Sequence, residues 1–200
     1  MQLITDKKII LASESPRRKE LFSSLGIPFE VQPSGVIEEL DGIYTPEEMA
    51  IGIADLKAST IAHRNPNAIV IAADTTVRLG SELLSKPKNN EQAKKFLRLL
   101  SGKVHNVITG VSILGQDVSI AFAESTLVKF YELTDEEIDA YVETGDSLDK
   151  AGGYGIQTMG GLFVENVQGD YNNVVGLPIS RLYRTLLNLG VIEFAKEKSK

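Results

Sequence analysis

The sequence predicts a mixed α/β fold of the α+β kind, with helices flanking a sheet that contains parallel and antiparallel strands. Short apolar runs alternate along the chain with helical stretches that begin and end at capping residues. Two long strand-like segments, Val104–Leu114 and Val118–Tyr131, are joined through Gly115–Asp117 and predict a long β-hairpin. Strands that alternate with helices and also form long hairpins are typical of a mixed sheet.

The chain opens with a predicted strand, turn and helix. Ile9–Ala12 is an apolar run suited to a buried strand. Ser15 is expected to cap a helix whose first residue is Pro16, and Gly26 is expected to end it. A second strand is predicted at Pro28–Val31.

A longer helix and a central strand follow. The capping box Thr45–Glu48 begins a helix that is predicted to end near His63. Ala68–Ala73 is apolar throughout, as expected for a strand covered on both faces, and we expect this strand to end at Asp74. A carboxylate at the end of such a strand indicates a ligand-binding site, because ligands of α/β proteins bind at strand ends.

The same signals predict the remaining elements. These are a small hairpin at Val77–Leu84, helices at Asn90–Leu100 and Thr134–Gly145, a strand at Leu162–Val167 and a last helix at Pro178–Leu189.

Composition limits the classes of function. The chain has 200 residues, 42% of them hydrophobic, and is expected to form one domain over residues 1–200, with a frayed lysine-rich end at 196–200. Its net charge of −6 argues against nucleic acid or an anionic membrane as a partner. With no cysteine and two histidines, disulfides and thiolate sites are excluded and a multi-histidine zinc site nearly so. No apolar run is long enough to span a membrane and no signal peptide is evident, so we expect a cytoplasmic protein.

The segment Ser13–Arg18 is the first candidate site. It places hydroxyls, guanidinium groups and the free N–H groups of a helix start together, which favours an anion such as a phosphate. The alternative is a capped helix with two solvated arginines.

Carboxylates form the second candidate site. Glu38 and Asp74 are suited to hold Mg²⁺ together with substrate phosphate oxygens, and Asp74 could also deprotonate a water. For Glu38 the alternative is a solvated loop, and for Asp74 it is a turn residue. A Ser-His-Asp hydrolase is disfavoured, because the chain has no Gly-x-Ser-x-Gly segment and His105 has no evident acidic partner.

Two lysines and a glycine-rich segment complete the candidates. Lys57 and Lys86 could neutralise phosphate charge, although most lysines are only solvated. The segment Asp149–Gln157 brings backbone close to a ligand, and the Gln157 amide can donate to and accept from a base edge; a tight loop with a structural glutamine is equally consistent.

Taken together, these motifs resemble the Maf family of nucleoside triphosphate pyrophosphatases, also called septum formation inhibitor proteins, from about Ile10 to Leu189. Six blocks carry the resemblance in order: Leu11–Arg18, Ala73–Thr75, Lys86–Pro87, Ser101–His105, Asp149–Gln157 and Val175–Pro178. The resemblance implies a curved mixed sheet in two lobes around a central cleft, similar to the inosine triphosphatase type.

The resemblance also implies a role for each candidate. Asp74 falls on the catalytic acid, and Glu38 with Asp74 on metal-binding positions. The phosphate-contacting positions are Ser13, Ser15, Arg18, Lys57 and Lys86. The implied cofactor is Mg²⁺, with Mn²⁺ or Co²⁺ as alternatives, and a homodimer is a family-level expectation.

Base choice is implied by three further positions. Arg17, Thr75 and Gln157 match the branch that cleaves dTTP and UTP, in contrast to the branch that prefers 7-methyl-GTP. Thr76 and Thr158 depart from the residues usual at their positions, and both flank the pocket. The sequence therefore predicts cleavage of dTTP and UTP to the monophosphate and pyrophosphate. The alternatives are a pyrophosphatase for a modified nucleotide and a nucleotide-sensing binding protein linked to cell division.

Overall fold

The computed structural model describes residues 2–40 and 42–195; the lysine-rich end, expected to fray, lies outside them. The strands are β1 Leu3–Ile4, β2 Lys8–Leu11, β3 Glu30–Val31, β4 Ala68–Leu79, β5 Glu82–Leu84, β6 Val104–Gly115, β7 Val118–Phe130, β8 Val164–Gln168 and β9 Glu193–Phe194. The helices are α1 Pro16–Ser23, α2 Pro46–Arg64, α3 Asn90–Leu100, α4 Asp135–Glu143, α5 Tyr171–Val175 and α6 Ile179–Asn188.

A seven-stranded mixed sheet organises these elements. Its order is β3-β2-β4-β6-β7-β8, with β5 paired to β4. β2 lies parallel to β3 and β4, whereas the pairs β4-β6, β6-β7 and β7-β8 are antiparallel. The long hairpin is confirmed and closes with Gly115 opposite Val118. The predicted fold class, a mixed sheet with flanking helices, is confirmed.

The apolar core is divided along the length of the sheet. Near one end, Phe22 and Leu182 pack on one face, and Ile61 with Val70 forms a smaller cluster with α2. Near the other end, residues of α3 and α4 pack around Phe130. Because β4, β6 and β7 run past both cores, the molecule has two lobes that share one set of strands.

The predicted helix starts are confirmed by their caps. The Ser15 hydroxyl oxygen accepts from the Arg18 N–H at the start of α1. Reciprocal capping boxes begin α2 at Thr45 and α4 at Thr134. α3 spans the predicted residues with Asn89 as its cap. Each cap satisfies backbone N–H groups that have no partner inside the helix.

Several elements differ from the predictions. Only Glu30 and Val31 of the predicted 28–31 strand pair, because Pro28 has no N–H to donate. The strand predicted at 162–167 is shifted to Val164–Gln168, because a 3₁₀ turn over Met159–Phe163 precedes it. The β1-β9 pair and the short helix α5 were not predicted.

Gly110 brings α2 onto the sheet. A Cβ at this position would lie 2.2 Å from the backbone carbon of Ala50, so only glycine permits the approach of the helix to β6. Gly110 is the cross-strand partner of Asp74 in β4. Directly opposite residues share a face of the sheet, so Asp74 points to the side that α2 covers.

Within residues 2–40 and 42–195, the helices are all too short or too polar to cross a bilayer.

Candidate active site

A cleft of about 460 Å³ lies between the two lobes and collects every predicted site residue. The β2-α1 loop, α1, the 34–38 segment, α2, the middle of β4 and the glycine-rich segment contribute its walls. The predicted residues that line it are Ser13, Ser15, Arg17, Arg18, Glu38, Lys57, Asp74, Thr75, Lys86 and Gln157. The sequence blocks, which are far apart in the chain, therefore meet around one cavity.

Asp74 lies in the middle of a strand, so the prediction that the strand ends there is wrong. β4 continues to Leu79, because its second half pairs with β6 on one side and with β5 on the other. β2 and β5 pair with the same edge of β4. Pairing with β2 stops at Ile71 of β4, and pairing with β5 starts at Val77 of β4. Asp74 occupies this gap, where the edge of a central strand opens into the cleft.

Lys57 joins the two predicted metal-binding carboxylates. Its Nζ donates to Asp74 Oδ1 over 2.8 Å and lies 2.8 Å from Glu38 Oε1. The Lys57 and Asp74 side chains are only 8% and 13% exposed. A buried ammonium is costly unless it is paired, and here two carboxylates compensate it. Lys57 lies on the inner face of α2, among residues that are otherwise apolar.

Glu38 is ionised at neutral pH. Burial alone would raise the pKa of its carboxyl group, but the hydrogen bond from Lys57 and the charges of Lys57, Lys86 and Arg18 outweigh it and hold the pKa below its ordinary value. Lys86 Nζ is 3.9 Å from Glu38 Oε2, and its side chain is 60% exposed. Lys86 therefore reaches the cleft from the surface with its ammonium free to move towards an anion.

The donor set fits a hard divalent cation that is shared with a substrate. Within the described ranges, no group of three or more His, Cys, Asp or Glu side chains is arranged to hold a metal. Among the described residues, Glu38 and Asp74 supply the carboxylate oxygens that contact one positive centre, the Lys57 ammonium. Mg²⁺ is held in proteins by one or two carboxylates together with waters and phosphate oxygens, which is the set that this cleft could offer.

The start of α1 forms a wall of the cleft whose donors are suited to an anion. Ser13 is buried, and its hydroxyl oxygen accepts from the Ser15 N–H over 3.2 Å. The hydroxyl oxygen of Ser15 accepts from the Arg18 N–H, which leaves the hydroxyl proton of Ser15 available to a ligand. The positive end of the helix dipole and these donors face the same cavity.

Arg18 is oriented by the protein. Its Nε donates to the Gly176 carbonyl oxygen over 2.8 Å, and its Nη2 donates to Thr75 Oγ1 over 2.9 Å. Burial lowers the pKa of the Arg18 guanidinium below its ordinary value, and the carboxylates of Asp74 and Glu38 oppose this effect. A guanidinium stays protonated under such conditions, so Arg18 presents a fixed positive charge to the cleft.

The hydroxyl of Thr75 belongs to this same arrangement. Thr109 donates its hydroxyl proton to the Asn173 carbonyl oxygen over 3.1 Å. The 2.9 Å hydrogen bond between Thr75 and Thr109 therefore uses the proton of Thr75. In this network Thr75 accepts from Arg18 and has no proton left for a base carbonyl. Its predicted contribution to base choice stays a prediction, whereas its contact with Arg18 is direct.

The other two predicted specificity residues lie at the mouth of the cleft. Arg17 Nη1 donates to Asp149 Oδ2 over 2.8 Å, which joins α1 to the glycine-rich segment. Gln157 is exposed and also borders the cleft. The two unusual residues also border the cavity: Thr76 is buried beside Asp74, and Thr158 is exposed next to Gln157.

Several residues that shape the site were missed. Asn173 is fully buried and bridges β6 and β7 through its amide group, donating to Val107 O and Thr126 Oγ1. Asp146 gathers hydrogen bonds from three side chains behind Gln157. The sequence offers no signal for either, because a loop asparagine or aspartate is usually solvated.

Comparisons with known proteins find similar sequences over most of the chain. A family model described as Maf-like protein matches residues 8–189. The chain is 51% identical over 185 residues to a dTTP/UTP pyrophosphatase of Bacillus cereus (strain ATCC 10987 / NRS 248), covering 92% of this chain and 91% of the relative. It is 52% identical over 180 residues to a dTTP/UTP pyrophosphatase of Bacillus cereus (strain G9842), covering 90% and 94%. A solved structure of the Staphylococcus aureus Ham1 protein aligns with a TM-score of 0.42 at 20% identity over 63% of this chain and 73% of that one, too distant to carry an argument.

Proposed function

The chain belongs to the Maf-like protein family, and from this premise we propose that it hydrolyses dTTP and UTP to the nucleoside monophosphate and pyrophosphate. The observation that carries the proposal is the position of Asp74. This carboxylate lies in the gap of the sheet edge, within a cleft that also contains Arg18, Lys57 and Lys86. A proton acceptor beside several cations is the arrangement that phosphoryl transfer needs.

The positively charged side chains of the cleft and the start of α1 bind and orient the triphosphate. Arg18 and Lys86 offset phosphate charge, and the α1 start with the hydroxyls of Ser13 and Ser15 donates hydrogen bonds to phosphate oxygens. These contacts are common to every nucleoside triphosphate. They hold the α-phosphorus in front of Asp74, where positioning supplies a large part of the rate.

Asp74 acts as the general base. Its Oδ1 is engaged by Lys57, whereas no hydrogen bond from the described residues reaches Oδ2. We assign to Oδ2 the removal of a proton from a water that attacks the α-phosphorus in line. The new bond joins the water oxygen to phosphorus, the bond from the α-phosphorus to the α–β bridging oxygen breaks, and pyrophosphate leaves with that oxygen.

Glu38 and Asp74 would hold a divalent cation, Mg²⁺ or in its place Mn²⁺ or Co²⁺. When bound, such a cation supplies positive charge to the phosphate oxygens as charge develops on the leaving group. Lys57 lies between the same two carboxylates and would keep them separated and oriented. Metal dependence is thus part of the proposal.

Base choice is assigned to the mouth of the cleft. The Gln157 amide can donate to a carbonyl and accept from the ring N–H of thymine or uracil, and Arg17 can donate to a second carbonyl. Both side chains border the cavity.

A pyrophosphate-release assay over canonical and modified triphosphates, with Mg²⁺ and with a chelator, tests the proposal. We expect pyrophosphate and monophosphate from dTTP and UTP only when the cation is present. Orthophosphate with a residual diphosphate would contradict the assigned bond, and a preference for 7-methyl-GTP would contradict the base assignment. Tight binding of nucleotide without turnover would instead support a sensor.

A further inference from the structure

One partly buried carboxylate, that of Asp146, lies close to the segment that carries Gln157. Asp146 belongs to the segment 146–158, which follows α4 and which we call the rim loop. Its side chain is 24% exposed and accepts hydrogen bonds from three side chains. Burial would raise the pKa of Asp146, but the hydrogen bonds from Thr158, Tyr141 and Lys150 outweigh it and keep the group ionised at neutral pH.

One chain of contacts leads from Asp146 to Arg17. The Lys150 ammonium donates to Asp146 Oδ1 over 2.9 Å, to the Asp146 carbonyl oxygen over 2.6 Å and to Asp149 Oδ1 over 2.6 Å. These contacts use all three of its donors, so Lys150 borders the cleft but has no proton free for a phosphate. The other oxygen of Asp149, Oδ2, accepts from Arg17 on α1 over 2.8 Å.

A second chain of contacts leads from Asp146 to Gln157. Tyr141 donates to Asp146 Oδ2 over 2.6 Å and accepts from the Gly155 N–H over 3.0 Å. The Thr158 hydroxyl lies 2.5 Å from the same Asp146 oxygen and 3.0 Å from the Gly155 carbonyl oxygen. The turn 155–158 is therefore held on both sides of Gln157.

We propose that Asp146 is a positioning residue for base recognition, acting on Arg17 through Lys150 and Asp149 and on Gln157 through Tyr141 and Thr158. The proposal rests on the proposed function, and it adds a residue that contacts neither base nor phosphate. It also gives the unusual Thr158 a role, because its hydroxyl completes the attachment of the turn to Asp146. Both residues assigned to base choice thus depend on one carboxylate, although they come from distant parts of the chain.

The variants Asp146→Asn and Thr158→Ala test this role, with kcat and KM measured for UTP and CTP. Asparagine keeps the shape of the side chain but loses the charge that accepts from the ammonium and from two hydroxyls. We expect the UTP-to-CTP ratio of kcat/KM to fall at least about threefold in each variant, since a misplaced polar group loses part of its discrimination. The kcat for CTP should stay near the wild-type value. Thr158→Ser keeps the hydroxyl and should keep the ratio.

Asp135→Asn is the matched control, because Asp135 lies at the start of α4 and pairs with Arg98 outside the cleft. An equal loss of kcat/KM for both nucleotides, with the ratio unchanged, would overturn the proposal in favour of a purely structural role. Should Asp146→Asn fail to fold, an unchanged ratio in Thr158→Ala, whose side chain is exposed, overturns it equally. Absence of pyrophosphate release by the wild-type protein would refute the proposed function itself, which the variants do not address.

Discussion

The ammonium of Lys57 and the carboxylate of Asp74 form a buried hydrogen bond of 2.8 Å across the boundary between α2 and β4. This contact engages one oxygen of Asp74, a residue that lines the cleft, and no hydrogen bond from the described residues reaches the other oxygen. Lys57 also contacts Glu38, so a single cation fixes both carboxylates that would serve a metal. The chemistry assigned to the cleft therefore depends on how closely a helix approaches a strand.

Asp74→Asn should leave the fold intact and lower kcat by at least about 10²-fold, the scale expected for the loss of a general base. The amide keeps the size of the side chain but cannot take a proton from water. Steady-state kinetics with dTTP at saturation measure the effect, and circular dichroism checks the fold. Asp55→Asn is a suitable control, because Asp55 lies on α2 and accepts from Ser112 outside the cleft. A near wild-type kcat in Asp74→Asn would remove this residue from the mechanism.

Arg18→Ala and Lys86→Ala should weaken turnover of all nucleoside triphosphates by similar factors. A hydrogen bond to a charged group contributes about 1.5–3 kcal/mol, so kcat/KM should fall roughly 10-fold or more for each variant. Parallel assays with dTTP, UTP and CTP give the comparison. Arg181→Ala removes an arginine that pairs with Glu124 away from the cleft and should have no such effect. A strong dependence on the base would show that these side chains do not contact phosphate.

Gln157→Ala should reduce the preference for UTP over CTP more than it reduces pyrophosphate release from CTP. Cytosine lacks the ring N–H and replaces one carbonyl by an amino group, so a site built for uracil leaves polar groups unpaired. Each such mismatch costs about 1–3 kcal/mol, or about 5- to 150-fold. The ratio of kcat/KM for the two nucleotides is the measurement, with Gln168→Ala on the exposed strand β8 as the control. Equal cleavage of CTP and UTP by the wild-type protein is the result that would contradict this assignment.

The stability of the protein should fall on acidification in a way that depends on His105. Burial lowers the pKa of this imidazole from 6.5 to about 4, and its Nε2 contacts only the Tyr154 hydroxyl. Below about pH 6.5 the unfolded chain binds a proton that the folded chain rejects, so this contribution is complete above that pH and is lost towards pH 4.

The variant His105→Gln should therefore show a smaller difference in the free energy of unfolding between pH 7 and pH 5, by up to about 1.4 kcal/mol per pH unit. Urea unfolding at pH 7 and at pH 5 measures this difference. The comparison holds even if the variant is less stable than the wild type at neutral pH. His63→Gln changes the exposed histidine at the end of α2 and should keep the wild-type pH dependence. The same pH dependence in His105→Gln as in the wild type would mean that His105 does not carry the effect.

Local signals predicted the fold well where they were strong. The capping boxes at Thr45 and Thr134 predicted the starts of α2 and α4, because the side-chain acceptors of these boxes meet free N–H groups. The strand at 68–73 was predicted too short, because Asp74 and two threonines interrupt the apolar run while the backbone pairs onwards to Leu79. Pairing partners decide where a strand ends, and a sequence does not contain them explicitly.

In the candidate site, too, some residues could be predicted from the sequence and others could not. Residues in short motifs, such as Ser13 and Arg18, were predicted and line the cleft. The network behind them was not, since Asp146 and Asn173 take their partners from segments distant in the chain. The sequence also did not predict that the hydroxyl proton of Thr75 is used within the protein, because this depends on Thr109 in the neighbouring strand.

The approach of Lys57 to Asp74 depends on a residue that has no side chain. Gly110 lies opposite Asp74 and lets the α2 backbone approach to a depth that any Cβ would block. Even one methyl group there would force the helix outwards and carry the backbone of Lys57 away from the Asp74 carboxylate, although neither of these two residues would change. The spacing of Lys57 and Asp74 thus depends on the missing side chain of Gly110 on the neighbouring strand, a residue that carries no functional group of its own.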